Sequence, residues 1–205
     1  MEDKERDIQL KISTTGLRDW TGDKAKHYNR AESTPYKALD ELFKHYQVDD
    51  HDVMVDFGAG RGRTSFYVND RFGIPVTGVE LHEQTFDELI INEQHYLKGK
   101  SLQFSNLYFE FGYAQKYQIR PEENIFYFFN PFSTAIFRSV IKNIVKSLEN
   151  VPRPADVILY YPEDDFQQYM ENQTPFRRVQ TIRLPWEDQN KKKFIVYHYE
   201  PTLDE

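Results

Sequence analysis

VMVDFGAGRGRTSFYV, residues 53–68, is the stretch that decides the fold of this 205-residue chain. It begins as a hydrophobic run that ends at an aspartate, passes through three glycines, and then becomes polar and helix-like. An apolar run bounded by glycine is typical of a buried strand, and the residues after the glycines suit a helix. The stretch therefore predicts a strand that leads into a helix through a glycine-rich turn.

Strand and helix patterns alternate along the rest of the chain. Strands are predicted at residues 52–57, 74–80, 107–112, 124–129 and 155–162, and helices at 35–46, 62–72, 82–99, 137–148 and 164–173. The last two strand patterns, 176–184 and 192–200, have no helix between them, which requires an antiparallel pair. We expect a doubly wound α/β fold: a mostly parallel seven-stranded sheet with an antiparallel C-terminal hairpin and helices on both faces.

The chain has enough hydrophobic residues, 39%, to bury one core. Residues 35–205 are predicted to form a single domain. Residues 1–34 are polar and mixed, and we interpret them as an N-terminal arm or as a cap over a site. Trp20 and the stretch 27–30 fit both roles. No feature of the chain indicates an oligomeric state.

The composition excludes several kinds of protein. There is no cysteine, and the 6 histidines show no metal-ligand spacing, so no metal site is predicted. The net charge of -7 argues against broad attraction to a nucleic-acid backbone, which leaves a structured RNA partner open but unsupported. No run of about 18 apolar residues occurs, so we expect no membrane span and a cytoplasmic protein.

The spacing of the glycines and the aspartate before them indicate which kind of ligand the turn can bind. In dinucleotide-binding folds the turn reads G-x-G-x-x-G and places a pyrophosphate at a helix N-terminus. Here Gly58, Gly60 and Gly62 are spaced G-x-G-x-G, and Asp56 would repel a phosphate. A ligand with an ammonium group and no phosphate suits this turn better, which makes an NAD(P)-dependent oxidoreductase the less favoured alternative.

On these residues the chain resembles the class I S-adenosylmethionine-dependent methyltransferases. Their first motif, D-x-G-x-G-x-G, appears as DFGAGRG, and their second, an acidic residue at the end of strand 2, matches Glu80. The resemblance implies a Rossmann-like methyltransferase domain that binds S-adenosylmethionine at the carboxyl ends of its strands. The cofactor-binding residues that it implies are Asp56, Gly58, Ala59, Gly60, Gly62, Glu80, Leu81, Tyr113, Ala114 and Asn130.

The resemblance also implies roles for some of these residues. Asp56 would accept hydrogen bonds from amides of the loop and offset the ammonium group of the ligand, and Glu80 would accept from both ribose hydroxyls. After strand 3, where many relatives carry an acidic residue, this chain reads Gly112-Tyr113-Ala114-Gln115. Tyr113 would stack on the adenine and Gln115 would supply a polar contact, or both would only pack.

FFNPFS, residues 128–133, resembles the [DN]-P-P-[YFW] motif of methyltransferases that act on amino or amide nitrogen, with one proline instead of two. The implied catalytic residues are Asn130, Pro131 and Phe132. The Asn130 side-chain oxygen and the backbone carbonyl before or at Pro131 would accept the N–H hydrogens of the acceptor, while Phe132 stacks on it. The alternative is that Asn130 and Pro131 are the N-cap and first-turn proline of the next helix.

The leading hypothesis is therefore methyl transfer from S-adenosylmethionine to a nitrogen, or less favourably an oxygen, of a small-molecule or protein acceptor. A non-catalytic relative that binds the cofactor as a sensor or partner subunit is an alternative of another kind. Arg61 and Arg63 lie near a helix N-terminus, where the dipole disfavours cations, so either a ligand carboxylate or surface solvation accounts for them. The polar run at residues 190–193 is predicted to be an exposed hairpin turn.

Overall fold

The computed structural model describes residues 3–103, 105–187 and 192–202. Its strands are β1 (Met54–Phe57), β2 (Val76–Glu80), β3 (Leu107–Phe111), β4 (Ile125–Phe129), β5 (Ala155–Tyr160), β6 (Arg177–Arg183) and β7 (Lys193–Tyr199). Its helices are α1 (Asp3–Leu10), α2 (Tyr36–His45), α3 (Arg63–Phe72), α4 (Glu83–Lys100), α5 (Thr134–Asn150) and α6 (Asp164–Gln173). Short 3₁₀ turns lie at Gly22–Lys26 and Ala114–Lys116.

Within the described residues, the strands form one sheet in the order β3-β2-β1-β4-β5-β7-β6. Strands β1 to β5 pair in parallel with their neighbours, whereas β7 pairs antiparallel with both β5 and β6. The predicted seven-stranded α/β fold with its antiparallel C-terminal hairpin is thus confirmed. The predicted turn at 190–193 lies partly outside the described residues.

Helices cover both faces of the sheet because its central strands are buried along their whole length. α1 to α4 bury one set of side chains against one face, and α5 and α6 bury another set against the opposite face. On the second face Phe137 and Phe166 stack with ring centroids 3.9 Å apart. Such near-continuous burial is what a parallel sheet requires of its strands. Among the described helices, none is long and apolar enough to cross a membrane.

The strand register fixes where a ligand can bind. Phe57, the last residue of β1, pairs with Val79 of β2 on one side and Phe128 of β4 on the other. The chain proceeds from β1 outward to β2 and β3, and then returns to the other side of β1 with β4. The carboxyl ends of β1 and β4 therefore flank the switch point, where crevices open in sheets of this kind.

Helix α1 lies outside the sequence-based prediction. Its sequence, DKERDIQL, has few apolar residues, and only Asp7 and Leu10 are buried. Propensity and periodicity are weak signals for such a short polar segment, which takes its stability from tertiary contacts. Those contacts centre on Arg63, the first residue of α3.

Arg63 is buried, with 3% of its surface exposed. Its Nε donates to the Thr14 hydroxyl at 2.6 Å, and its guanidinium lies 4.7 Å from the centre of the Tyr36 ring. The Asp7 carboxylate lies 3.8 Å from Nε and accepts from the Tyr36 hydroxyl at 2.7 Å, while Asp3 pairs with Nη1. Carboxylates of the N-terminal segment thus compensate a cation that the start of α3 disfavours.

Arg61 is also accounted for within the protein. Its Nε donates to Glu88 at 2.6 Å, and Arg18 donates to the other oxygen of the same carboxylate at 2.6 Å. The two explanations considered from sequence for Arg61 and Arg63 were a ligand carboxylate and solvation. In the structure, both guanidinium groups pair instead with carboxylates of the protein itself. These ion pairs attach the N-terminal segment to α3 and α4.

Replacing Asp7 with alanine should destabilise the protein, because Arg63 loses a buried counter-charge and both the Thr14 amide and the Tyr36 hydroxyl lose their acceptor. We expect a loss of about 3–5 kcal/mol in the free energy of unfolding, measured by urea denaturation. Asp23→Ala is the control, since the Asp23 side chain is 96% exposed. Similar denaturation midpoints for the two variants would contradict this role of Asp7.

Candidate functional site

Backbone hydrogen bonds hold the glycine turn after β1 against the end of β2. The amides of Gly58 and Ala59 both donate to the Val79 carbonyl, at 2.9 and 3.1 Å. Gly62, the N-cap of α3, donates to the Ala59 carbonyl at 2.8 Å. The turn is therefore tight, and α3 begins at the carboxyl edge of the sheet.

Gly58 brings the turn into contact with the segment after β4. Its φ is +77°, a left-handed conformation that glycine adopts without strain. A Cβ placed on Gly58 would lie 2.4 Å from the Cβ of Pro131. Glycine is therefore required here on two grounds, and the predicted cofactor turn and the predicted catalytic segment are in direct contact.

Glu80 lies at the end of β2 with its carboxylate directed to the glycine turn. One carboxylate oxygen accepts from the Gly60 amide at 2.8 Å, and the other accepts from Leu81 at 2.8 Å and His82 at 2.7 Å. Burial raises the pKa of Glu80, and these three amides oppose that rise. Glu80 thus joins the turn of β1 to the loop that follows β2.

Asp56 has a different partner from the one predicted. Its carboxylate accepts from the Ser65 hydroxyl at 2.8 Å, in the first turn of α3. The loop amides expected to bind Asp56 are bonded instead to the Val79 carbonyl and to Glu80. Burial raises the pKa of Asp56 to about 7; the Ser65 hydrogen bonds lower it, and the nearby Glu80 carboxylate raises it.

Asp56 and Glu80 are buried close to one another, and neither has an ion-pair partner among the described residues. They are 3% and 6% exposed, and the groups that affect the pKa of either one include no Lys, Arg or His side chain. A buried carboxylate is costly unless it is paired or supplied with hydrogen bonds. A cationic ligand bound beside this pair would favour the charged form of both carboxylates and lower the pKa of Asp56.

A cavity at this edge lies between the strand ends and the N-terminal segment. On the strand side it is lined by Gly58, Gly60, Val79, Glu80, Leu81, Gly112, Ala114, Phe129, Pro131 and Phe132. On the other side it is lined by Trp20, Tyr28, Asn29, Arg30, Ala31 and Glu32. A second cavity adjoins it and is lined by Asp56, Ala59 and Thr34, and also by Arg61 and Arg63, whose guanidinium groups pair with other carboxylates. The strand ends and the N-terminal segment thus enclose the main cavity from two sides.

The N-terminal part of this lining is a closed loop, residues 18–31, which we call the covering loop. Arg18 and Ala31 close it with reciprocal backbone hydrogen bonds of 3.1 and 2.8 Å. Trp20 packs inside it, with its ring 4.9 Å from Tyr28 and 4.8 Å from His82. Compact loops whose ends meet are frequently functional. From sequence, Trp20 and residues 27–30 were considered for this position without a decision.

The end of β3 contributes only some of its predicted residues. Gly112 and Ala114 line the cavity, and the Gly112 amide donates to the Glu80 carbonyl at 3.0 Å. Tyr113 lies in a neighbouring groove, 39% exposed, with Lys116 5.2 Å from its ring centre. Gln115 lines the same groove, and its Oε1 is buried without a partner among the described residues. In this structure neither side chain reaches the main cavity.

The segment after β4 is held in a strained conformation. Asn130 has a φ of +37°, which non-glycine residues seldom adopt. Its Nδ2 donates to the Glu163 carboxylate at 3.0 Å. Phe132 is buried, with its ring edge-on to Phe128 and to Tyr28. Strained residues of this kind cluster at functional sites.

The capping interpretation of Asn130 and Pro131 is wrong. Helix α5 begins at Thr134, and its N-cap is Ser133. Asn130 lies three residues before that cap and Pro131 two, so neither serves the helix. The position of Asn130 therefore needs another explanation.

In the part of the chain that the structure describes, no group of three or more His, Cys, Asp and Glu side chains could hold a metal ion.

Comparison with known proteins identifies the fold. No protein-family model matches the chain, and no curated protein matches its sequence. Solved structures do match. An RNA methyltransferase from Salinibacter ruber in complex with S-adenosyl-L-homocysteine has a TM-score of 0.62 at 14% identity, covering 85% of this chain and 97% of that one.

Two further structures give the same result. An rRNA methylase from Streptococcus thermophilus has a TM-score of 0.53 at 19% identity, covering 78% of this chain and 92% of its own. A TehB-like SAM-dependent methyltransferase from Corynebacterium glutamicum has a TM-score of 0.54 at 11% identity, covering 80% and 88%. The fold is that of the class I methyltransferases, as the sequence motifs implied.

Asp56 should make the stability of the protein depend on pH. Because its pKa is raised by folding, from 3.8 to about 7, the folded state holds a proton that the unfolded state releases, and stability falls as pH rises through that window. Asp56→Asn should remove this slope and gain about 4 kcal/mol over wild type between pH 4 and 8. Urea denaturation across this range measures it.

Asp87→Asn is the control, because Asp87 is exposed on α4. It should leave the pH profile of wild type unchanged. A profile of Asp56→Asn that runs parallel to wild type would show that Asp56 is ionised throughout the folded state.

Proposed function

We propose that this protein is an S-adenosylmethionine-dependent methyltransferase that acts on a nitrogen, or less favourably an oxygen, of its acceptor. The observation that carries the proposal is the pair of buried carboxylates, Asp56 and Glu80, which lie beside a glycine turn and have no ion-pair partner among the described residues. S-adenosylmethionine has a sulfonium and an ammonium group and no phosphate. It therefore supplies the charge that this site lacks, whereas a dinucleotide would add to the negative charge.

The cavity supports an assignment of the cofactor's parts. The methionine part would lie along the glycine turn, where Asp56 offsets its ammonium group. One Glu80 oxygen already accepts from the Leu81 and His82 amides, whereas the other accepts only from Gly60 and keeps a lone pair, with which Glu80 would accept from the ribose hydroxyls. Leu81, Gly112 and Ala114 would line the adenine end of the cavity.

Asn130, Pro131 and Phe132 are proposed to hold the acceptor. A displacement at the methyl carbon is accelerated mainly by positioning, so oxygens that orient the lone pair of a nitrogen toward the methyl group suffice without a dedicated base. Pro131 contacts Gly58 of the cofactor turn, which brings the acceptor end close to the cofactor end. The fold favours neither the NAD(P)-dependent oxidoreductase nor the non-catalytic sensor over this proposal.

The acceptor class has two candidates. The acidity of the chain supports a small molecule or a protein, as proposed from sequence. RNA is the second candidate, since two of the similar structures are described as RNA or rRNA methylating enzymes. An exposed stripe on α5, formed by Arg138, Lys142 and Lys146 at intervals of one helical turn, favours a polyanion locally.

Calorimetry should detect binding of S-adenosylhomocysteine at micromolar affinity and no comparable binding of NADH. Glu80→Gln should weaken the affinity at least about tenfold, because the ribose hydroxyls lose a charged acceptor. Glu83→Gln is the control, since Glu83 is exposed at the start of α4. Binding of NADH in preference to the sulfur nucleoside would overturn the proposal.

Turnover requires a separate measurement. Wild type should transfer label from methyl-labelled S-adenosylmethionine to a component of a cell extract fractionated by size, and ribonuclease or protease treatment of that fraction identifies the acceptor class. Asn130→Ala should reduce incorporation at least about 100-fold and leave S-adenosylhomocysteine binding nearly unchanged. Asn172→Ala, on the exposed surface of α6, is the control. Tight binding without any labelled fraction would favour the sensor.

A further inference from the structure

The covering loop is attached to the segment after β4 by a short antiparallel ladder. The Asn29 amide donates to the Pro131 carbonyl at 3.0 Å, and the Ser133 amide donates to the His27 carbonyl at 2.7 Å. Tyr28 and Phe132 face each other between these bonds. The backbone of the covering loop thus binds residues 131–133, two of which, Pro131 and Phe132, belong to the proposed acceptor site.

The Asn29 side chain extends this contact to Asn130. Its Nδ2 donates to the Asn130 backbone carbonyl at 2.8 Å and lies 3.3 Å from the Asn130 Oδ1. Together with the Pro131 carbonyl, which accepts from the Asn29 backbone, these are all the oxygens assigned above to the acceptor nitrogen. Asn29 therefore occupies each of them.

Glu163 explains why Asn130 presents an oxygen here. A carboxylate can only accept, so the Asn130 amide must turn its Nδ2 toward Glu163, at 3.0 Å, and its Oδ1 away. The left-handed φ of Asn130, +37°, then directs the backbone carbonyl to the same nitrogen of Asn29. Two oxygens of one residue converge on one NH₂ group.

We propose that the Asn29 carboxamide occupies the acceptor site assigned above to the two Asn130 oxygens, and that a planar NH₂ group of the acceptor must displace it to bind. The inference rests on the proposed function. The chemistry that fits is a primary amide or an amino group conjugated to a ring, since such a group presents two hydrogens as Asn29 does. Asn29 is exposed to solvent, so it can leave without disturbing the core.

The test compares wild type with Asn29→Ala, each saturated with S-adenosylhomocysteine. The nuclear magnetic resonance signal of the Asn130 side-chain amide is followed during titration with acetamide and with N,N-dimethylacetamide, which has a similar shape and no N–H. Acetamide should reach half-saturation at a concentration at least threefold lower in Asn29→Ala than in wild type. Asn172→Ala should match wild type, and N,N-dimethylacetamide should give no saturable shift.

Equal midpoints in wild type and Asn29→Ala, or equal responses to the two amides, would overturn the inference. A second variant, Asn29→Asp, keeps the size of the side chain and places a carboxylate against the Asn130 oxygens. Because that carboxylate is repelled by the Asn130 oxygens, it should leave the site and lower the acetamide midpoint at least threefold, as Asn29→Ala does. A midpoint equal to that of wild type would also contradict the proposal.

Failure of the proposed function gives a different result. If wild type does not bind S-adenosylhomocysteine in calorimetry, the cofactor assignment fails, whatever the acetamide titrations give. If it binds the nucleoside and the two proteins respond equally to acetamide, only the role of Asn29 is lost.

Discussion

The arrangement of the site depends on the buried carboxylate of Glu80. It receives the amides of Gly60, Leu81 and His82, and so ties the glycine turn of β1 to the strand beside it. Burial alone would drive this group to protonate, and the three donors oppose that tendency. Because the Gly60 amide donates to Glu80, Asp56 has only Ser65 as a partner among the described residues, and burial raises the pKa of its carboxyl group.

A second set of interactions fixes the covering loop relative to this turn. Arg63 follows Gly62 directly, and its buried guanidinium holds the N-terminal segment through Thr14, Asp7 and Asp3. The same helix therefore begins at the cofactor turn and anchors the segment that covers it. From that anchor the loop extends to Asn130, so the start of α3, the loop and the end of β4 form one connected unit.

The sequence was informative where the signal is local. Residues 53–68 predicted β1, its turn and α3, because periodicity and glycine spacing are carried by adjacent residues. Helix α1 was missed because its partner, Arg63, lies more than fifty residues away and its own pattern is polar. Asp56 and Glu80 were both identified, but which of them binds the loop amides depends on the path of the turn in space. Whether they bind a cofactor stays a prediction.

The same limit applies at the other strand ends. Of the run after β3, Gly112 and Ala114 line the cavity while Tyr113 points to a neighbouring groove, and only the three-dimensional path of the loop separates them. Asn29 is 101 residues from Asn130 and belongs to no periodic pattern, so no sequence signal connected them. The buried ion network at Arg63 also bears on how the protein is handled. A shortened form that starts near residue 35 would keep every β-strand but would lack Asp3 and Asp7, the carboxylate partners of Arg63. Such a form is therefore a poor substitute for the 205-residue chain.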